Sequence, residues 1–212
     1  MKKLFTLLVA ALCTMITWAY DFEVDGIYYN ILDENNVEVT FQGENFFRSE
    51  KYTDSLKIPE SVTHDTTIYR VSQIDDFAFF ECDSLYKIEL PNSIQYIGPG
   101  AFSYCFDLTF IKLPEGITTI KWGTFQGCSS LRSIYLPESV TSIEEGAFFN
   151  CYALEEINFP KNLTNLSNWA FSGCTRLGFV PDEIMNQYPK AFEKFKRGNR
   201  RRTADGKGRL YF

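Results

Sequence analysis

The sequence predicts a mainly β fold in which short units stack into a solenoid. Five cysteines recur at intervals of 23 residues, and columns of phenylalanine, leucine and proline keep the same interval. Each unit also holds short segments in which apolar and polar residues alternate, as in strands with one buried face. A fixed interval of this length is typical of repeat proteins, because one unit alone cannot bury its apolar side chains. The 212-residue chain has room for one such domain with terminal segments.

The first 19 residues have the pattern of a secretory signal peptide. Lys2 and Lys3 precede an apolar stretch that ends at Ile16, and small residues around Ala19 suit a signal peptidase. Two alternatives are open. The stretch could be a membrane anchor, although it is shorter than the roughly 20 apolar residues that span a bilayer. Cys13 could instead carry a lipid, although Leu12 stands where a lipoprotein signal has Gly or Ala. We predict a secreted or cell-surface protein with no transmembrane segment after signal removal.

Residues 20–70 are predicted to form an N-terminal capping hairpin and an entry rung. Alternating apolar residues on both sides of the turn-rich segment 33–36 indicate a β-hairpin. Ile58 and Pro59 resemble a repeat start, and an inserted loop is predicted around His64. A cap is expected because the open end of a solenoid exposes its core and its strand edges.

Residues 71–181 are predicted to form the solenoid itself. In one unit Ile88 and Leu90 alternate with Lys87 and Glu89, which predicts a strand that Pro91 ends. A second, shorter strand is predicted at 94–97. The remaining residues of the unit leave no room for a helix of normal length.

This unit resembles the BspA-like leucine-rich repeats of bacterial and protozoan surface proteins. In one repeat the matching residues are Leu131, Ile134, Leu136, Pro137, Val140, Ile143, Ala147, Phe148 and Cys151. Thr124 in place of Ala and Phe159 in place of Leu depart from the pattern. The resemblance covers residues 71–181. It implies a right-handed leucine-rich-repeat solenoid that is secreted or displayed on a surface and binds other molecules, often in adhesion to host proteins or other cells.

The cysteine column is expected to be structural. It consists of Cys82, Cys105, Cys128, Cys151 and Cys174. Stacked side by side, their parallel Cβ vectors suit the dihedral angle of a disulfide poorly. The spacing lacks the C-x-x-C pair or His partner of a zinc site. Buried free thiols are therefore expected, with disulfides, a metal site and a nucleophile as the alternatives.

The C-terminal residues are predicted to form a helical cap over 182–198, with Phe192 and Phe195 on one face and Gly198 as its end. Residues 199–212 are interpreted as a basic, disordered tail. Residues 20–189 hold 10 Lys and Arg against 25 Asp and Glu, whereas 190–212 hold 9 against 2. Such a tail could contact nucleic acid, an acidic polysaccharide or an anionic surface, but a solvated tail is the simpler interpretation.

No residue pattern predicts catalysis, a metal site or a cofactor. His64 is the one histidine, and its neighbour Asp65 is merely adjacent in sequence. Consecutive carboxylates, such as Glu155 and Glu156, face opposite ways on a strand and do not form an acid and base pair. The turn at 33–36 could bind calcium, but a turn alone selects those residues. We expect a protein that is not an enzyme.

The exposed face of the main strand column is the predicted ligand-binding surface. It comprises Lys87, Glu89, Phe110, Lys112, Ser133, Tyr135, Glu156 and Asn158. Phe110 and Tyr135 are large aromatics where folding requires only polar residues, as at the centres of interfaces. Alternatively, exposed aromatics are ordinary in a chain with 20 Phe and 12 Tyr. We expect a protein or glycan ligand on this face. A structural or assembly component of the cell envelope is the alternative function, and a hydrolase the remaining one.

Overall fold

Equivalent residues of successive units lie side by side in a parallel sheet. The structure, a computed structural model, describes residues 20–43, 47 and 51–192. Its five-stranded sheet consists of β4 (Asp54–Lys57), β7 (Leu85–Glu89), β9 (Phe110–Lys112), β11 (Ser133–Tyr135) and β13 (Glu156–Ile157) in that spatial order. Ile88, Ile111 and Ile134 pair in register with the isoleucine one unit later. The mainly β repeat fold predicted from the 23-residue interval is confirmed.

Shorter strands form a second column on the other side of the core. These are β8 (Tyr96–Ile97), β10 (Thr119–Ile120), β12 (Ser142–Ile143) and β14 (Asn165–Leu166). The last three make a parallel sheet, whereas β8 pairs with β6 (Thr67–Ile74) of the N-terminal sheet. Ile97, Ile120 and Ile143 are buried, so the two columns enclose one continuous core.

The N-terminal sheet is mixed, with three antiparallel strand pairs and two parallel ones. It contains β1 (Phe22–Val24), β2 (Ile27–Ile31), β3 (Asn36–Thr40) and β5 (Ser61–His64) in addition to β6. The expected hairpin is present as β2 and β3, with β1 added at its edge. The Asp33 carboxylate accepts hydrogen bonds from the backbone N–H groups of Asn35 and Asn36 at 2.8 and 2.9 Å, which closes the turn and lowers the pKa of Asp33.

Two predicted details of the flanks are wrong. The loop expected around His64 is a hairpin, in which His64 ends β5 and pairs with Thr67 across a two-residue turn. The helix expected from Asp182 onward is broken: α1 (Asp182–Gln187) ends before a 3-10 helix (Pro189–Phe192). Pro189 disfavours the helical conformation of the residue before it, which ends α1.

Residues 1–19, Phe195, Gly198 and the tail lie outside the described residues. No helix of the described part is long and apolar enough to cross a bilayer.

A column of stacked phenylalanine rings fills the core at the turn of each unit. It runs through Phe79, Phe102, Phe125, Phe148 and Phe171, whose neighbouring rings lie 5.1–5.5 Å apart and within 10° of parallel. All five side chains are fully buried. At the N-terminal end Tyr52 packs on Phe79 at 5.0 Å. At the other end Phe192 of the 3-10 helix packs on Phe171.

The cysteine column is bonded to the carbonyls of the phenylalanine column. The Cys105 thiol donates to the Phe79 carbonyl oxygen at 3.0 Å, and the thiols of Cys128, Cys151 and Cys174 repeat this contact with Phe102, Phe125 and Phe148 at 3.0–3.1 Å. All five cysteines are free and buried. Burial raises the pKa of the Cys82 thiol to about 12 and holds that of Cys105 well above its ordinary value.

Each unit turns through two residues with left-handed backbone, and both positions recur every 23 residues. The first column is Phe77, Gly100, Gly123, Gly146 and Trp169, and the second is Glu81, Tyr104, Gly127, Asn150 and Gly173. At Gly100 a Cβ atom would lie 2.3 Å from the Phe77 ring of the preceding unit. Phe77 and Trp169 show that the φ angle tolerates other residues at a cost, so glycine is needed at position 100 chiefly for its lack of a side chain.

Candidate functional site

The predicted ligand-binding residues lie on one face of the five-stranded sheet. Lys87, Phe110, Ser133 and Glu156 are paired in sequence along one exposed column, and Lys112 pairs with Tyr135 along the next. Phe110 is 51% exposed and Tyr135 is 56% exposed. These rings thus lie on the surface of the repeat rather than in its core.

Five of the eight predicted residues line a groove of about 450 Å³ near the C-terminal end of this face. They are Phe110, Ser133, Tyr135, Glu156 and Asn158. Lys87, Glu89 and Lys112 lie outside the groove. Lys87 and Glu89 form an ion pair of 2.7 Å between their side chains, which raises the pKa of Lys87 and lowers that of Glu89.

The groove also contains Phe179, which the sequence analysis does not include. Phe179 is 51% exposed and lines the wall opposite Phe110. It follows Glu156 by 23 residues, so one more step of the same interval would have found it. Val180 and Pro181 end the repeat pattern directly after Phe179, so the sequence alone does not mark Phe179 as part of a further unit.

The shape of the groove follows from the order of side chains along the exposed column. Phe110 and Phe179 are three units apart, or roughly 14 Å at the spacing of paired strands. The shorter Ser133 and Glu156 lie between them and leave a depression. Tyr135 on the neighbouring column borders it, so that three aromatic rings surround a floor of mixed polar and apolar residues.

Asn158 shapes this groove while it bonds to the backbone. Its Oδ1 accepts a hydrogen bond from the Leu136 N–H at 2.7 Å, and its Nδ2 donates to the Leu136 carbonyl at 2.8 Å. The side chain thereby completes the pairing that a longer β13 would have supplied to β11. Asn158 therefore lines the groove, but its amide oxygen and nitrogen are already hydrogen-bonded to Leu136.

The groove carries one uncompensated carboxylate. Glu155 is paired with Arg176, whose Nη2 lies 2.5 Å from its Oε1. Glu156 is exposed and forms no ion pair with the described residues. Aromatic faces next to a carboxylate suit ligands that combine apolar surface with hydrogen-bond donors or positive charge.

His64 and Glu38 lie outside the groove and pack against other parts of the protein. His64 stacks on Phe22 with ring centroids 4.1 Å apart and planes within 6°. Glu38 is half-buried near Asp75 and Asp76, and burial followed by the charge of Asp75 raises the pKa of Glu38 to about 7. Within 20–43, 47 and 51–192 no cluster of three His, Cys, Asp or Glu side chains could hold a metal ion.

Comparison with known proteins identifies the repeat. Residues 42–178 match six copies of the family model described as BspA type leucine-rich repeat region. The chain is similar to the crystal structure of a leucine-rich repeat protein from Bacteroides ovatus, with 32% identity and a TM-score of 0.61 over 75% of this chain and 46% of that one. It thus spans about half the length of that protein. No curated protein matches the chain.

Two further solved structures share the fold. The T. pallidum leucine-rich repeat protein is 25% identical, with a TM-score of 0.63 over 74% of this chain and 69% of that one. A leucine-rich repeat protein from Bacteroides capillosus is 26% identical, with a TM-score of 0.52 over 64% of this chain and 95% of that one. All of these relatives are bacterial repeat proteins.

Proposed function

Because the chain belongs to the BspA type leucine-rich repeat family, we propose that it is a secreted or cell-surface binding module that adheres to host proteins, glycans or other cells. The groove between Phe110, Tyr135 and Phe179 is the proposed contact surface. The observation that carries the proposal is the position of three exposed aromatic rings around one depression of a repeat face.

The exposed aromatic rings make this groove the favoured contact surface. Exposed aromatic side chains gain free energy when a partner covers them, and a few such anchors commonly dominate an interface. Phe110 and Tyr135 lie on paired strands of the sheet, so that little backbone conformational entropy is lost there on binding. In this proposal the groove binds a partner without catalysing a reaction.

The terminal segments serve, in this proposal, as caps of a right-handed solenoid over residues 71–181. Tyr52 links residues 20–70 to the first unit, since its hydroxyl donates to the Thr40 carbonyl at 2.8 Å while its ring packs on Phe79. Phe192 covers the last phenylalanine at the other end. Parallel strands joined by crossover connections are nearly always right-handed, which supports the proposed hand.

The proposal is tested by binding of the purified full chain to immobilised extracellular matrix proteins, mucin glycans and whole bacterial cells at two salt concentrations. We expect capture of a defined partner that persists at high salt, because apolar contacts are not screened. The triple variant Phe110→Ala, Tyr135→Ala, Phe179→Ala should lose this capture. The matched control is Phe106→Ala with Tyr152→Ala, which removes exposed aromatics outside the groove and should bind normally.

Two outcomes would contradict the proposed function. Unchanged capture by the groove variant would remove the groove from the interface. Absence of capture by every partner, together with self-association that is lost when residues 198–212 are deleted, would favour an assembly component of the cell envelope instead.

A further inference from the structure

A second concave surface lies at the opposite end of the five-stranded sheet from the aromatic groove. It is a cleft of about 430 Å³ between β4 and the strands β1, β2 and β5 of the N-terminal sheet. Ile27, Leu56 and Val62 give it apolar walls, and Asp25 and Lys57 lie at its polar margin. The repeat interval did not predict this cleft, because it lies between the repeat and the N-terminal strands.

The strand β4 presents an open edge to this cleft. Within the described part of the chain β4 pairs with β7 alone. The Asp54 N–H donates to the Ser84 carbonyl at 3.0 Å and the Ile58 N–H donates to the Glu89 carbonyl at 2.9 Å, so the even-numbered residues face β7. Ser55 and Lys57 therefore direct their backbone N–H and C=O groups to the other side.

These outward groups have no backbone partner among the residues that the structure describes. An unpaired strand edge of this kind is a template for a further strand, because each free N–H and C=O can pair with an extended backbone. The geometry of the edge thus selects an extended polypeptide over a sugar or a lipid chain.

The wall of the cleft contains a second unsatisfied group. Tyr29 is fully buried, and its hydroxyl forms no hydrogen bond with the described residues. Its ring is fixed by stacking on Phe22 at 5.3 Å between centroids. Buried polar atoms in folded proteins nearly always have a partner, so the orphan hydroxyl shows that the core beside the cleft is incompletely satisfied.

We propose that the cleft between β4 and the β1–β2 hairpin binds an extended peptide segment of a partner protein, which adds to β4 as the next strand of the sheet. About four residues of the segment pair with the four residues of β4. One apolar side chain enters between Ile27, Leu56 and Val62, and the alternate side chains point to solvent, since successive residues of a strand face opposite sides. Backbone pairing gives this site tolerance of peptide sequence.

The test uses a panel of end-capped hexapeptides in which Val, Leu or Ile alternates with Thr. Their binding to the full chain is followed by calorimetry and by hydrogen exchange of individual amides. We expect at least one peptide to slow exchange of the Ser55 and Lys57 amides at least tenfold at saturation. The same peptide with its central amides N-methylated should bind at least tenfold more weakly, because it cannot donate to the edge.

Variants of β4 supply the matched comparison. Lys57→Pro removes an outward N–H that β7 does not use, and should abolish peptide binding, whereas Lys57→Ala keeps the N–H and should retain it. Absence of amide protection with every peptide of the panel would overturn the proposal, as would equal binding of the methylated and unmethylated forms. The groove variant at Phe110, Tyr135 and Phe179 should bind the peptides normally, so this result is independent of the proposed function.

Discussion

Phe192 stacks on Phe171 with ring centroids 5.2 Å apart and planes within 4° of parallel, although Phe192 lies outside the repeat. The Phe171 N–H also donates to the Ala191 carbonyl at 3.0 Å, as each earlier phenylalanine N–H does to the alanine or threonine of the next unit. The 3-10 helix therefore takes the place of a sixth turn. It covers a ring that would otherwise face water.

Replacement of Phe192 by alanine should consequently lower the free energy of unfolding by about 3–5 kcal/mol, the usual cost of removing a fully buried phenylalanine. Urea unfolding followed by circular dichroism measures this change. Phe106→Ala is the control, since Phe106 is exposed and its removal should change stability by only about 0.5 kcal/mol. Equal effects of the two variants would show that the 3-10 helix contributes little to the core.

The first left-handed column offers a comparison between two glycines of similar backbone. Gly100 and Gly123 have φ angles of 60° and 58°, but a Cβ atom would meet the Phe77 ring at 2.3 Å in the first case and only the Gln126 Oε1 at 3.4 Å in the second. Gly123→Ala should cost about 1 kcal/mol through its φ angle alone. Gly100→Ala should cost distinctly more, because the Phe77 ring must also move.

The thermal midpoints of the two alanine variants test this prediction. The double variant Phe77→Ala, Gly100→Ala should recover the part of the loss that comes from the steric clash. A loss in Gly123→Ala as large as that in Gly100→Ala would assign the whole effect to the backbone angle and contradict the role of the Phe77 ring.

Much of this fold could be predicted from the sequence because the 23-residue repeat is regular. The strand register of Ile88, Ile111 and Ile134 follows directly from the repeat, since identical units can bury identical columns only at one offset. The repeat also places Phe110 and Tyr135 on the surface. Phe179 continues the same column, but it lies where the pattern of the unit stops.

The features that were missed depend on contacts between segments that do not repeat. The cleft beside β4 arises where the N-terminal hairpin meets the entry rung, and no interval relates Tyr29 to Leu56. The sixth turn at Phe192 departs from the interval, because Phe192 follows Phe171 by 21 residues instead of 23, although Ala191 and Phe192 repeat the Ala-Phe pair of the earlier units. Pro189 was the local signal that the C-terminal helix would break.

The buried thiols should resist modification in the native protein. Burial raises the pKa of Cys82, Cys105 and Cys151, and the reactive thiolate is correspondingly rare at pH 8. Each of the five cysteines from Cys82 to Cys174 should therefore react with iodoacetamide only after unfolding in urea, without prior reduction. Mass spectrometry of alkylated peptides checks this residue by residue. Rapid native labelling, or labelling that requires a reductant, would contradict the free, buried column.

Stability should depend on pH through Glu38. Burial and the charge of Asp75 raise the pKa of Glu38 in the folded state to about 7, above its ordinary value of 4.5, so the folded protein binds this proton more tightly than the unfolded chain. The free energy of unfolding should therefore fall as pH rises from about 4.5 to 7, and the loss should be complete above the folded pKa. The raised pKa of Asp76 acts in the same direction.

The Glu38→Gln variant isolates this contribution, because glutamine keeps an oxygen that can accept the hydrogen bond from Asn30 but does not ionise. The urea midpoints of the wild type and the variant should be similar at pH 5, whereas at pH 7.5 the variant should be the more stable protein. Glu60→Gln serves as a control, since Glu60 is exposed and has no partner side chain in the described part. Parallel pH profiles for wild type and Glu38→Gln would show that the Glu38 carboxylate is solvated after all, and that its proximity to Asp75 has no energetic consequence.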